Sequence, residues 1–188
     1  MSLEIWIAFV LAAEIVLIVP GPTIILVVSQ AVVHGRRSVP PLVAGVTLGD
    51  FTAMTLSLLG LGAILASSAA LFSVMKWIGA GYLIYLGIKL WRTQPEKHAI
   101  SLPAPTLSNR SLFKSAFIVT ALNPKSIAFF VAFLPQFISP RSDTFPQLLV
   151  LGSTFLFLAA LNAALYAFFA GRIRDTLQKA SVQRWFHR

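Results

Sequence analysis

The sequence predicts an all-α integral membrane protein with five transmembrane helices, on three observations. Hydrophobic residues fill 57% of the 188 positions and charged residues only 11%, where a soluble domain carries roughly 25% charged residues. Mean hydropathy is +0.81. Apolar runs that can cross a bilayer, at about 20 residues each, recur along the whole chain. The basic residues gather in alternate intervals between those runs, the bias that orients membrane helices. The chain is read as a single transmembrane domain over residues 1–188.

Span one covers residues 3–33, too long for one straight crossing. It is broken by Pro20-Gly21-Pro22. Two prolines remove two backbone donors, and glycine loosens the bonding between them. Because the apolar run continues on both sides, the break falls inside the membrane. Irregular backbone survives there only when buried in protein or lining a wet cavity. No basic residue precedes Arg36, so the N-terminus reads as a retained span and not as a cleaved signal peptide. Span two covers residues 40–65, and an uncharged turn at Ser67-Ser68 leads to span three, residues 69–90. Residues 92–111 hold three prolines and mixed charges and read as a cytoplasmic loop. Span four, residues 112–138, is interrupted at Asn123-Pro124-Lys125. A polar turn around Pro140-Arg141-Ser142-Asp143 leads to span five, residues 145–170, and then to a basic, amphipathic tail.

The charges set the orientation. Arg36 and Arg37 follow span one, and no basic residue lies between spans two and three. Lys89, Arg92, Lys97, Arg110 and Lys114 flank the long loop, Arg141 stands alone, and the tail is rich in arginine. This alternation places the N-terminus outside the cell and the tail in the cytoplasm. Lys76, inside span three, is expected to snorkel to an interface.

A weak internal repeat accompanies the breaks. Pro22 precedes Asp50 by the same interval that separates Pro124 from Gly152. Residues 1–91 then form a first three-helix repeat, and residues 112–188 an inverted second repeat whose last helix is missing from this chain.

Three ionisable residues fall deep inside apolar runs: Glu14, Asp50 and Lys125. Asp50 lies about 15 Å along span two, near mid-bilayer. An uncompensated charge at that depth costs about 3 kcal/mol or more, so each is expected to face the interior and meet a partner. One reading makes Asp50 and Glu14 a proton or ammonium site. The other is an inert ion pair with Lys125 that fixes packing. The half-helices beginning at Thr23 and after Lys125 offer free N–H groups and positive dipole ends to a carboxylate. The carbonyls before each break suit an ammonium group. Pro20, Gly21, Pro22, Thr23, Asn123, Pro124 and Lys125 are therefore the candidate substrate-binding residues, joined by Gln136; Asn162 is a second polar residue among apolar neighbours. Gly45-xxx-Gly49 and Ala160-xxx-Ala164 fit close helix packing, within one protomer or, on the second reading, in a homodimer.

Other function classes lack their residues. The three histidines fall in loops or the tail without metal-ligand spacing, and cysteine is absent. There is no phosphate-binding glycine loop. The basic balance of +9 follows loop charge and forms no basic face with interleaved aromatics, so no nucleic-acid partner is expected. Neither an enzyme nor a resident cofactor is predicted; the expected partners are membrane lipid and a small substrate.

Several segments together resemble the LysE/RhtB family of amino-acid exporters. They are Pro20-Gly21-Pro22, the run to Gly45, Gly49 and Asp50, Tyr82 to Gly87 (YLIYLG), Asn123-Pro124-Lys125, Phe129-Phe130 and Pro135-Gln136-Phe137. The resemblance implies a six-helix fold and efflux of amino acids or close derivatives, driven by a proton gradient or the membrane potential. It also implies that this chain lacks the family's last helix. The alternatives left open are a channel or ion exporter of similar architecture, and a non-transporting truncated membrane protein.

Overall fold

The computed structural model describes residues 1–67, 69–92, 107–140 and 142–177, and these are helical with no strand among them. Helix α1 (Leu3–Ile18) begins at Ser2, whose hydroxyl accepts from the Ile5 amide. Its backbone turns extended at Val19, and α2 (Pro22–His34) restarts with proline in its first turn, where the missing N–H is no loss. Gly35, at φ 70°, turns the chain through a 3-10 turn, Gly35–Ser38, into α3 (Val39–Ser67). Then come α4 (Ala69–Arg92), α5 (Asn109–Ala121) and the short α6 (Pro124–Ala128). The last of these runs on as a π-helical turn, Phe129–Phe133, and a 3-10 turn, Leu134–Phe137. Helix α7 (Thr144–Leu177) completes the described fold.

Three helical stretches among the described residues are long and apolar enough to cross a membrane: 22–60, 109–137 and 144–172. Grouped at the breaks, α1–α2, α3, α4, α5–α6 and α7 make five helical passages, and the side-chain contacts give their directions. Trp6 bonds Thr154, Glu14 bonds Asn162 and Tyr166 bonds Ile18, each at a separation of 148 residues. A constant separation means that α1 and α7 run parallel. Gly45 meets Phe113 and Ala116, while Gly49 meets Phe117 and Thr120, so α3 and α5 are parallel too. Val16 and Val19 meet Lys125, whereas Thr23 meets Thr120 and Asn123; the two broken helices therefore cross antiparallel. Five alternating crossings produce this set of directions.

Local chemistry moves some boundaries. Helix α5 starts ahead of the expected span because the Ser108 hydroxyl caps it, accepting from the Ser111 amide. Helix α7 runs past 170 into the expected tail, since nothing there breaks a helix and Gly171 packs on the backbone of Gly35 and Arg36. Arg36 also lies 4.7 Å from the Phe168 ring, tying the basic hairpin to α7. Of the long loop, residues 93–106 lie outside the described residues, as do Arg141, the tail from 178 on, Ser68 and the Lys76 side chain.

Gly45 and Gly49 bring α3 and α5 into backbone contact within one chain: a Cβ at Gly45 would lie 2.5 Å from the Phe113 carbonyl oxygen, and one at Gly49 2.7 Å from the Thr120 Cβ. On α7 the buried small-residue stripe is Ala159, Ala163 and Ala167, one position off the expected Ala160–Ala164. Two apolar clusters result. One is aromatic: Phe9, Phe129, Phe130 and Phe155 with Leu134 and Leu151. The other is built of small and aliphatic residues: Val27, Ala31, Leu42, Val46, Ala116 and Ala163 among them.

Candidate functional site

Four of the five passages carry polar residues in the interval between the two apolar clusters. On the first they are Thr23, on α3 Asp50, on α5–α6 Thr120, Asn123, Lys125 and Ser126, and on α7 Asn162, all buried. The sequence thus builds a polar layer closed above and below by apolar side chains. Thr23, Asp50, Asn123, Lys125, Ser126 and Asn162 line one cavity there, with Leu17, Ile24, Val46 and Ala159 as its apolar wall. Its volume is about 20 Å³. That admits about one water molecule; an amino acid does not fit the cavity in this conformation.

The two breaks meet at this layer. Asn123 caps α6: its Oδ1 accepts from the Lys125 amide at 3.1 Å, and its Nδ2 donates to the Thr23 hydroxyl oxygen at 3.1 Å. Thr120 donates to the same oxygen at 3.2 Å. Gly21 at the start of α2 has no side chain to give, so the Thr23 and Ile24 amides begin α2 without a side-chain cap. The prolines shape the breaks but Pro20, Pro22 and Pro124 themselves are exposed.

Lys125 is 8% exposed, and its ammonium does not turn to a carboxylate. It donates to the carbonyls of Val16 at 2.9 Å and Val19 at 2.7 Å, the free acceptors where α1 ends. Those acceptors carry the negative end of the α1 dipole, which suits a cation. Tyr166 closes the same helix end from α7, donating to the Ile18 carbonyl at 2.9 Å. A Cβ on Gly21 would lie 3.2 Å from the Lys125 Nζ, so glycine gives the lysine its path.

Asp50 is 3% exposed, and its Oδ1 has no hydrogen-bond partner among the described residues. Ser126 is the hydroxyl beside this carboxyl, and Lys125 acts on it at longer range. Glu14 accepts from the Asn162 amide at 2.8 Å through one oxygen, while Oε2 is buried without a partner among the described residues. Asn162 also faces the cavity and so links the Glu14 group to it.

Of the expected site residues, Thr23, Asp50, Asn123 and Lys125 line the cavity; Gly21 lies beside Lys125 and Glu14 bonds Asn162, while Pro20, Pro22 and Pro124 are exposed and Gln136 lies elsewhere. Gln136 is exposed on its 3-10 turn, and its amide folds back to donate to the Ala132 carbonyl at 2.6 Å, away from the cavity. The expected ion pair also takes another form, because Lys125 bonds backbone carbonyls and leaves the Asp50 Oδ1 unpartnered. Ser126 and Thr120 escaped the sequence reading. Thr120 had a signal: it stands one turn before Asn123, on the helix face that carries Ala116 and Leu112. Among the described residues no cluster of His, Cys, Asp or Glu could hold a metal ion.

A multi-pass helical membrane protein with two broken helices crossing at a buried charged layer has the architecture of a transporter. The chain belongs to the LysE type translocator family, whose model matches residues 14–188. It is 36% identical to a homoserine/homoserine lactone efflux protein of Salmonella typhi, over 92% of this chain and 84% of that one. It is 32% identical to a leucine efflux protein of Enterobacter sp. strain 638, over 81% of this chain and 72% of the relative. An uncharacterized membrane protein of Vibrio cholerae is 35% identical over 97% of the chain and 88% of its own length. No solved structure matches the chain.

Proposed function

We propose that the protein exports amino acids, or close derivatives, with neutral side chains across the bacterial inner membrane by alternating access. The observation that carries this reading is the polar cavity at the crossing of the two breaks, lined by a carboxyl with an unpartnered oxygen and by an ammonium. A zwitterion needs both signs of partner. The uncapped start of α2, at Thr23 and Ile24, suits its carboxylate. The carbonyl end of α1 and Asp50 suit its ammonium. The apolar wall of Leu17, Ile24, Val46 and Ala159 suits an uncharged side chain, as do the names of the two efflux relatives.

Alternating access follows from the layering. The aromatic cluster closes one side of the cavity and the small-residue cluster the other, so opening one while keeping the other shut exposes the site to one compartment at a time. The basic hairpin at Arg36 and Arg37 puts the small-residue cluster toward the cytoplasm by the charge rule, and the N-terminus in the periplasm. Asp50 and Glu14 carry the coupling proton, Asn162 bridging their surroundings. The antiparallel crossing supports an inverted relation between residues 1–91 and the part of the chain from 112 on.

Efflux from cells preloaded with dipeptides tests this reading. Expression should speed the appearance of neutral amino acids outside, and Asp50→Asn should return it to background. Export unchanged by that substitution would remove Asp50 from the mechanism; ionic conductance without saturable efflux would favour a channel.

A further inference from the structure

Lys125 occupies the position in which a substrate ammonium would be most at home. Two carbonyls at the negative end of α1 accept from its Nζ at 2.7 and 2.9 Å, in a site walled by protein. The carboxyl that shares its cavity, Asp50, meanwhile keeps a buried oxygen without a hydrogen-bond partner among the described residues. A lysine serving only to neutralise that acid would bond to it, since a buried charge left unpaired is costly. Both groups line the same cavity, so the ammonium has somewhere else to go without leaving the site. Its flexible four-carbon stem permits the move.

We propose that Lys125 is a tethered stand-in for the substrate ammonium, holding the Val16 and Val19 carbonyls in this conformation and yielding them to substrate by swinging to Asp50. This rests on the exporter reading and adds a specific exchange to it: the two ammonium groups exclude one another at the same two oxygens. Gly21 belongs to this device. Its backbone is extended, at φ −123°, so alanine fits the conformation there. The added Cβ would press on Nζ and Cε at 3.2 and 3.3 Å, tighter than ordinary contact, and the end of a flexible side chain is what must yield. Gly21→Ala therefore unseats the lysine while keeping its charge, and Lys125→Ala removes the lysine altogether.

The test is binding of leucinol, which has the ammonium of leucine without its carboxylate, to full-length protein in detergent. The readout is the rise in thermal midpoint with leucinol concentration, which needs no transport. With Lys125 in place, wild type should respond weakly. Gly21→Ala and Lys125→Ala should each respond at leucinol concentrations about tenfold lower, the size of effect expected when one competing contact is lifted. N-acetyl-leucine, which has no ammonium, should shift none of the three. If one variant fails to fold, the other decides. Equal leucinol dependence in wild type and the folded variants would overturn the proposal, as would a matching response to N-acetyl-leucine. Efflux of leucine and homoserine by wild type is measured beside it. Absent efflux with the binding difference intact would count against the exporter reading and leave the ammonium exchange standing.

Discussion

The two helix breaks do the same backbone job by different means. At Asn123-Pro124 the gap closes on itself: Asn123 caps the next half-helix, and Thr120 and Asn123 both rest on Thr23. At Pro20-Gly21-Pro22 nothing local closes the gap. Gly21 offers no side chain, and the carbonyl end of α1 is satisfied by Lys125 and Tyr166, each more than a hundred residues away in sequence. A self-capped break is a fixed hinge point. A break held by borrowed side chains can exchange those partners for a ligand. On the exporter reading, the second break serves as the frame and the first as the proposed binding face.

Substitutions can break or sharpen this contrast. The largest effect is expected at the buried acid of the cavity: Asp50→Asn abolishes saturable efflux and any dependence of its rate on the proton gradient, measured in proteoliposomes. Lys125→Ala costs about 1.5–3 kcal/mol of stability for its lost charged hydrogen bonds, seen as a lower thermal midpoint. At the α3–α5 contact, Gly49→Val drives its side chain into Thr120 and the Phe117 carbonyl, where a Cβ already sits 2.7 and 2.9 Å away; the expected loss is about 1–3 kcal/mol. Gly60→Val on the same helix meets nothing within 4 Å and should be tolerated. Asn123→Ala removes a cap and costs about 1 kcal/mol, with efflux slowed but present, since a frame is loosened without losing a ligand. Gln136→Ala, outside the cavity, should change stability by no more than about 0.5 kcal/mol and leave efflux intact.

Much of this was legible in the sequence because membrane burial makes local signals strong. Prolines inside an apolar run located both breaks, and charges at mid-bilayer depth singled out Asp50, Lys125 and Glu14. Pairings across the fold were not legible. Nothing near Lys125 in sequence announces that its ammonium reaches Val16 and Val19, because the antiparallel crossing alone brings them together. Register on α7 was equally hidden: small residues stand at both 159–160 and 163–164, and only packing against α3 and the first passage selects Ala159 and Ala163. Gln136 looked like a site residue by its apolar surroundings, yet the 3-10 turn after Pro135 points it outward.

The absence of cysteine allows a direct test of where substrate sits. A single cysteine placed at Ser126, in the cavity, and another at Gln136, outside it, can be modified with a small thiol-reactive amine with and without leucine or homoserine. The account predicts that the exported amino acid slows modification at position 126 and leaves position 136 unaffected. Equal rates with and without amino acid at position 126, in a variant that still exports, would place the binding site elsewhere than at the crossing of the two breaks.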